Sequence, residues 1–349
     1  MGVSWAQAQQ NLEQAIKRLF GADPRVRSVG VARHGAGFGF RAVRNSALPL
    51  KMAGLPPPPI QVANVPVVYS DAPGDVQRVV KLPTAGPGSA GLSSLVPEQL
   101  RHRPLVCGLQ IQNFTDDARQ AVLPQYMNVG TLGCFVRTSA REDALVSNNH
   151  VIAGENRGRR GADVILQPGG TAVGGDQVAA LADYIDLQIS PAGASVAVGT
   201  AVLNEVDAAL AKLSQGVNWM HAYLAARQVK DPTTGAMVAL RSPSGTAAPA
   251  LGDRVFKVGR TTGLTHGEIT DVSTTVGPVP YDPGDCWFKN CFTIIEPNGG
   301  TFCDRGDSGS AIINEATGKV VGLLFASNGT DTYACPIVTV LSLLNCTLV

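Results

Sequence analysis

Two periods of apolar residues run along this chain. Over residues 3–20, Trp5, Leu12, Ile16, Leu19 and Phe20 recur near helical spacing, which predicts one amphipathic helix with Gly21 as its stop. The runs that follow, Val26–Val31, Gly37–Val43 and Val62–Tyr69, are short and strand-like, and Gly35-Ala-Gly-Phe-Gly39 between two of them suits a hairpin turn. Pro56 to Pro59 predict a stiff, extended arm. The stretch Thr84–Ser94, rich in Gly, Pro and Ser, is the clearest boundary in the chain. The pattern therefore divides the chain into a small α+β accessory domain at 1–83, a linker at 84–104 and a mainly β domain at 105–349. A break inside the last part is expected within 214–250, where Pro232, Pro243 and Pro249 interrupt any long element.

Chemistry concentrates in Phe302-Cys-Asp-Arg-Gly-Asp-Ser-Gly-Ser310 and the apolar run after it. Ser308 stands between Gly-Asp and Gly, so a peptide backbone can approach it closely, and the amides of Gly306 and Ser308 can point at one spot where a carbonyl oxygen gains charge. A serine hydroxyl needs a base, and the base needs an orienting acid. His150 follows the short apolar strand at Leu145-Val-Ser and can sit at a sheet rim. Asp207 heads the apolar run Ala208–Leu213 and can hold an imidazole in one tautomer. Asp163, Asp183 and Asp186 lie between the same landmarks, and His266 is the rival base.

The order His150, Asp207, Ser308 resembles that of the chymotrypsin-like (trypsin-like) serine peptidases. Within that clan the chain is similar to the bacterial and plant group related to the plant narrow-leaf protease. The resemblance rests on Gly130–Val136, Ser147–Val151, Val164–Gly169, Val206–Leu210, Val258–Thr265 and Gly306–Ser310, and spans roughly residues 103 to 349. It implies a double β-barrel with His150 and Asp207 on the first barrel and Ser308 on the second, and it favours Asp207 over the other acids. The implied activity is that of a serine endopeptidase working through an acyl-enzyme, with protein or peptide as substrate. It also places the primary side-chain pocket at Phe302, Phe325, Ala326, Ser327 and Tyr333–Cys335. With Phe302 where trypsin-type enzymes carry an acid, a small or apolar residue before the cut is expected. No Ile-Val-Gly-Gly-like start precedes Gly130, so Asp307 is expected to shape the oxyanion loop through local hydrogen bonds, with Arg305 either its partner or a solvated charge. Bacterial relatives in antiphage systems suggest a partner-activated protease acting on one effector protein. A catalytically silent scaffold of the same fold is the other alternative.

Composition narrows the classes further. At 349 residues the chain can bury a large core without staples, and 44% hydrophobic with 16% charged residues is a globular balance. A net charge of +1 gives no reason to expect nucleic acid or an anionic membrane as partner, and no apolar window reaches a membrane span. The start, Met1-Gly-Val-Ser-Trp-Ala6, reads neither as a secretion signal nor as a complete myristoylation site, so a cytoplasmic protein is expected. Seven cysteines, an odd number, then predict reduced thiols. Cys286, Cys291 and Cys303 fit no zinc spacing, and neither a metal nor a cofactor is expected. Homo-oligomerisation is compatible with the sequence.

Overall fold

The computed structural model describes residues 2–48, 57–78, 82–83, 97–119, 126–169, 177–224, 228–230, 237–239 and 241–349. The predicted linker at Thr84–Ser94 lies outside them. The chain is mainly β, and two curled sheets carry the predicted 105–349 region.

The first sheet has eight strands in the order Cys346–Leu348, Cys134–Thr138, Asp143–Ser147, Ala209–Leu213, Gln177–Tyr184, Val164–Leu166, Gln110–Asn113 and Val129–Thr131. The second closes on itself. From Gly284–Ile295 it passes through Thr332–Pro336, Val320–Ser327, Ala311–Asn314, Arg254–Gly259 and Gly263–Tyr281, which pairs back to Gly284–Ile295. This six-stranded ring and the curled eight-stranded sheet make the expected double β-barrel. Strand alternation explains how one ring strand serves two cores. In Arg254–Gly259, Val255 joins a cluster with Ile269, Phe292 and Ile312, while Phe256 and Val258 join the large cluster shared with Leu109, Leu132 and Val146 of the first barrel.

The amino-terminal segment differs from its prediction in three respects. The expected single helix is two, Trp5–Gln10 and Leu12–Ala22, because the Asn11 side-chain amide turns back to Gln7 O (2.8 Å) and ends the first. Gly21 sits inside the second helix rather than stopping it. The run Val62–Tyr69 is broken by Ala63 and Asn64, whose φ angles of 50° and 63° form the two-residue turn of a hairpin between Gln61–Val62 and Val65–Ala72.

This segment is also continuous with the second barrel. Val26–His34 pairs antiparallel with Gly263–Tyr281 through Ser28↔Val276 and Ala32↔Asp271, and Gly37–Asn45 follows it. At the seam the Arg41 guanidinium donates to Asp271 Oδ2 (2.8 Å) and Asp331 Oδ1 (2.7 Å), both carboxylates being buried. Arg41→Ala leaves two buried acids without their cation, and is expected to cost about 3–5 kcal/mol in a denaturant unfolding series. A loss below about 1 kcal/mol would show that the seam is held by strand pairing alone.

Candidate active site

The first-barrel register places the acid and the base. Asp143–Ser147 pairs with Ala209–Leu213, ending at Ser147↔Ala209, so the residues just beyond each strand end face each other. Asn148 donates its side-chain amide to Asp207 O (2.6 Å), and the backbone N–H of His150 donates to Asp207 Oδ1 (3.2 Å). The His150 ring then meets Asp207 Oδ2 through Nδ1. With Nδ1–H directed at a carboxylate, Nε2 is left as the acceptor for a proton.

A third group completes Asp207. Tyr281 lies at the tip of the hairpin formed by Gly263–Tyr281 and Gly284–Ile295, and its hydroxyl donates to Asp207 Oδ2 (2.7 Å). Its ring also packs edge-on to that of His150, with centroids 5.9 Å apart. Burial alone would push the Asp207 carboxyl up. The positive charge and hydrogen bonds of His150, with the Tyr281 hydroxyl, outweigh that and hold it below the usual carboxylate value.

Ser308 arrives from the second barrel on a loop pressed against the first. Thr131 N–H donates to Ser308 O (2.9 Å), and Gly309 N–H donates to Leu324 O (2.9 Å). The fit depends on missing side chains. A Cβ on Gly130 would lie 2.5 Å from the Val151 methyls and 3.0 Å from Ser308 O, and one on Gly133 would lie 2.4 Å from Gly309 O. Those glycines let the Ser308 loop lie against the turn that carries His150, next to Val151. Gly306 has φ +100°, and its carbonyl accepts from the Thr131 hydroxyl (2.9 Å). Among the described residues no acceptor meets the amide of Gly306 or of Ser308. Both are therefore available to an oxyanion.

Asp307 fixes the shape of that loop. Its carboxylate accepts from Thr261 N (2.8 Å), Thr262 N (3.2 Å), Thr262 Oγ1 (2.6 Å) and Asp304 N (3.0 Å). Lys257 Nζ stands 3.4 Å away, and both side chains are fully buried. Arg305, the sequence candidate for this partner, instead reaches toward Gln77 Oε1 at 3.5 Å.

Two details separate this arrangement from a completed relay. The Ser308 hydroxyl donates to Phe325 O (3.3 Å), and His150 Nε2 has no hydrogen-bond partner among the described residues. Both side chains are also fully buried.

The remaining candidates fall elsewhere. Asp163 accepts from Asn113 Nδ2 (3.0 Å), while Asp183 and Asp186 face Arg160 at 2.7 and 4.0 Å. His266 Nδ1 lies 2.6 Å from Glu315 Oε1 on the second barrel. Among the residues expected to form the primary pocket, Phe302 packs with Phe292 and Leu324. Phe325, Ala326 and Cys335 are buried in the large shared cluster. Ser327 borders a cavity of about 250 Å³ with Gln77, Arg78, Asp304 and Arg305. All seven cysteines are buried free thiols. No helix among the described residues is long and apolar enough to cross a membrane. Tyr281, Lys257 and Asn148 were not singled out from the sequence. Tyr281 and Lys257 reach the site only through strand register, which no local motif encodes, whereas Asn148 sits in the Ser147–Val151 phrase beside His150.

No protein-family model matches the sequence, and neither does any curated protein. Among solved structures the chain is similar to the Nocardiopsis protease NAPase, at 16% identity and TM-score 0.43, over 70% of this chain and 97% of that one. It is similar to a Cellulomonas bogoriensis chymotrypsin at 18% identity and TM-score 0.39, over 63% and 90% of the two chains. A glutamic-acid-specific serine protease, described as using a histidine triad in substrate binding, gives 17% identity and TM-score 0.41 over 70% and 100%.

The depressed Asp207 carboxyl stabilises the fold above the ordinary carboxylate pKa of about 4, and that contribution is lost as pH falls through the folded value. Tyr281→Phe removes one donor, so the folded value rises and the acid limb of stability moves to higher pH. Denaturant unfolding across pH 3 to 7 should show that shift, with a loss of about 1.5–3 kcal/mol near neutrality. An unchanged acid limb would mean that the tyrosine hydroxyl contributes nothing to the carboxylate.

Proposed function

We propose that this protein is a serine endopeptidase acting by acyl transfer. The observation that carries the reading is the pairing of His150 Nδ1 with a buried Asp207, which leaves Nε2 unpartnered beside a glycine-flanked serine loop. Ser308 attacks a peptide carbonyl as His150 takes its proton. The Gly306 and Ser308 amides stabilise the oxyanion, His150 returns the proton to the leaving amine, and water hydrolyses the ester. In this reading the Ser308 hydroxyl leaves Phe325 O and turns to His150 Nε2 when substrate enters. Residues 105–349 form the protease domain in this reading, with 1–83 as an accessory region joined to it through 84–104.

A specific processing role fits better than general digestion. The nucleophile and the base are both buried, so peptides that cannot rearrange the entrance are excluded. That burial favours a second reading, an enzyme held silent until its amino-terminal region is disturbed. A permanently silent scaffold is the third reading.

Turnover of a peptide library should fall on the order of 10⁶-fold for Ser308→Ala or His150→Ala and about 10⁴-fold for Asp207→Asn. Folding of each variant is checked by circular dichroism. If Ser308→Ala cleaved as well as the parent, the assignment would fail. If neither the parent nor any variant turned over peptide, the restrained-enzyme and scaffold readings would both stand, and fluorophosphonate labelling of a chain with a disturbed amino-terminal region would separate them.

A further inference from the structure

The active-site edge of the second barrel already holds a strand. Val320–Ser327 runs toward the nucleophile, and its Phe325 carbonyl accepts from the Ser308 hydroxyl (3.3 Å). Along its outer edge the short strand Gln77–Arg78 pairs antiparallel, Gln77 opposite Ser327 and Arg78 opposite Ala326. A peptide strand in this register sets its next residue opposite Phe325, beside Ser308. Its carbonyl would then lie at the free Gly306 and Ser308 amides. Gln77 and Arg78 thus stand where the third and second residues before a scissile bond would stand, in the same chain direction. Val76, one residue earlier, is fully buried in the shared cluster.

The Arg78 side chain occupies a built site. Its guanidinium lies 2.9 Å from Glu155 Oε1 and 2.6 Å from Asp282 Oδ1, and it donates to Pro280 O (2.9 Å). The Tyr281 ring lies under the guanidinium, 5.2 Å from centroid to Cζ. Glu155 is 4% exposed, so a carboxylate is buried with Arg78 as its nearest cation among the described residues, its other oxygen accepting from Asp282 N–H (2.8 Å). The same Tyr281 donates to Asp207 and packs on His150, so the cage adjoins the catalytic imidazole. Arg157 faces the outer oxygens at longer range, 3.6 Å from Glu155 and 3.9 Å from Asp282. With Arg78 gone, Glu155 and Asp282 offer two carboxylates to an incoming cation.

We propose that the cage of Glu155, Asp282 and Tyr281 is a substrate subsite for arginine two residues before the cut, and that the chain's own Arg78 fills it as a tethered competitor. The inference rests on the serine-peptidase reading above and adds to it a substrate class and a means of restraint. The chemistry that fits is a basic peptide entering as an added strand, its guanidinium gripped by paired carboxylates over an aromatic face. Tethering sets the competitor at an effective concentration near the millimolar range, so weak pairing suffices to exclude dilute peptides. The residue before the cut stays with the small or apolar class, while charge is read one position earlier.

The test uses the full chain, with coumarin amides of Val-Gln-Arg-Val and Val-Gln-Ala-Val as probes. The parent should prefer the arginine peptide by about 10- to 100-fold in kcat/KM, the range that one charge-assisted hydrogen bond supplies. Arg78→Ala should raise kcat/KM for that peptide at least tenfold while keeping the preference, and Asp282→Ala should erase most of the preference. If Arg78→Ala fails to fold, the parent's preference and its loss in Asp282→Ala still decide the subsite. Equal rates on the two peptides in the parent, or an unchanged rate in a folded Arg78→Ala chain, overturn the proposal. Fluorophosphonate labelling of Ser308 in the same samples separates the two failures. Labelling without peptide preference overturns the subsite alone, and absence of labelling in both parent and Arg78→Ala overturns the peptidase reading with it.

Discussion

A single buried carboxylate, Asp207, ties the two barrels together at the site. It receives the His150 ring and backbone from its own barrel and the Tyr281 hydroxyl from the hairpin tip of the other. Burying that charge without partners would cost several kcal/mol. The donors that meet that cost also fix the imidazole tautomer, so stability and the proposed function depend on the same atoms. The hairpin must be long for this purpose: its two strands, Gly263–Tyr281 and Gly284–Ile295, belong to the second barrel yet end beside a first-barrel acid.

A second buried charge does the equivalent work for the oxyanion loop. Lys257 supplies Asp307 with a cation from within the chain, and Thr261, Thr262 and Asp304 donate the hydrogen bonds. The loop geometry therefore requires no newly released amino terminus. Shape is built in, and what is absent from this state is access. In the proposed reading, the strand at Gln77–Arg78 and the Ser308 hydroxyl turned to Phe325 make a formed but closed site.

Much of this was legible in the sequence, for reasons that can be located. Ser308, His150 and Asp207 stand at strand ends next to glycine, asparagine or an apolar run, so local pattern marks them. The barrel strands follow from short β-branched runs between turn residues. What stayed hidden is set by distant pairing. Tyr281 is 74 positions from Asp207, Lys257 is 50 from Asp307, and Arg41 reaches acids 230 and 290 positions away. The single helix predicted over residues 3–20 failed for a local cause, the Asn11 side chain competing for Gln7 O. The division at residue 83 reflected a real change of composition, yet hydrogen bonding runs across it, because two short helices and the strands beside them cover their own apolar faces best by extending a sheet that already exists.

The central claim is that Ser308 reacts because His150, oriented by Asp207, removes its proton. The most direct measurement is the pH dependence of fluorophosphonate modification, with the adduct mapped by mass spectrometry, in the parent, His150→Ala and Asp207→Asn chains. The account predicts one adduct, on Ser308, whose rate rises with pH in the parent and collapses in both variants. An adduct on another residue, or a Ser308 rate indifferent to loss of His150, would contradict it.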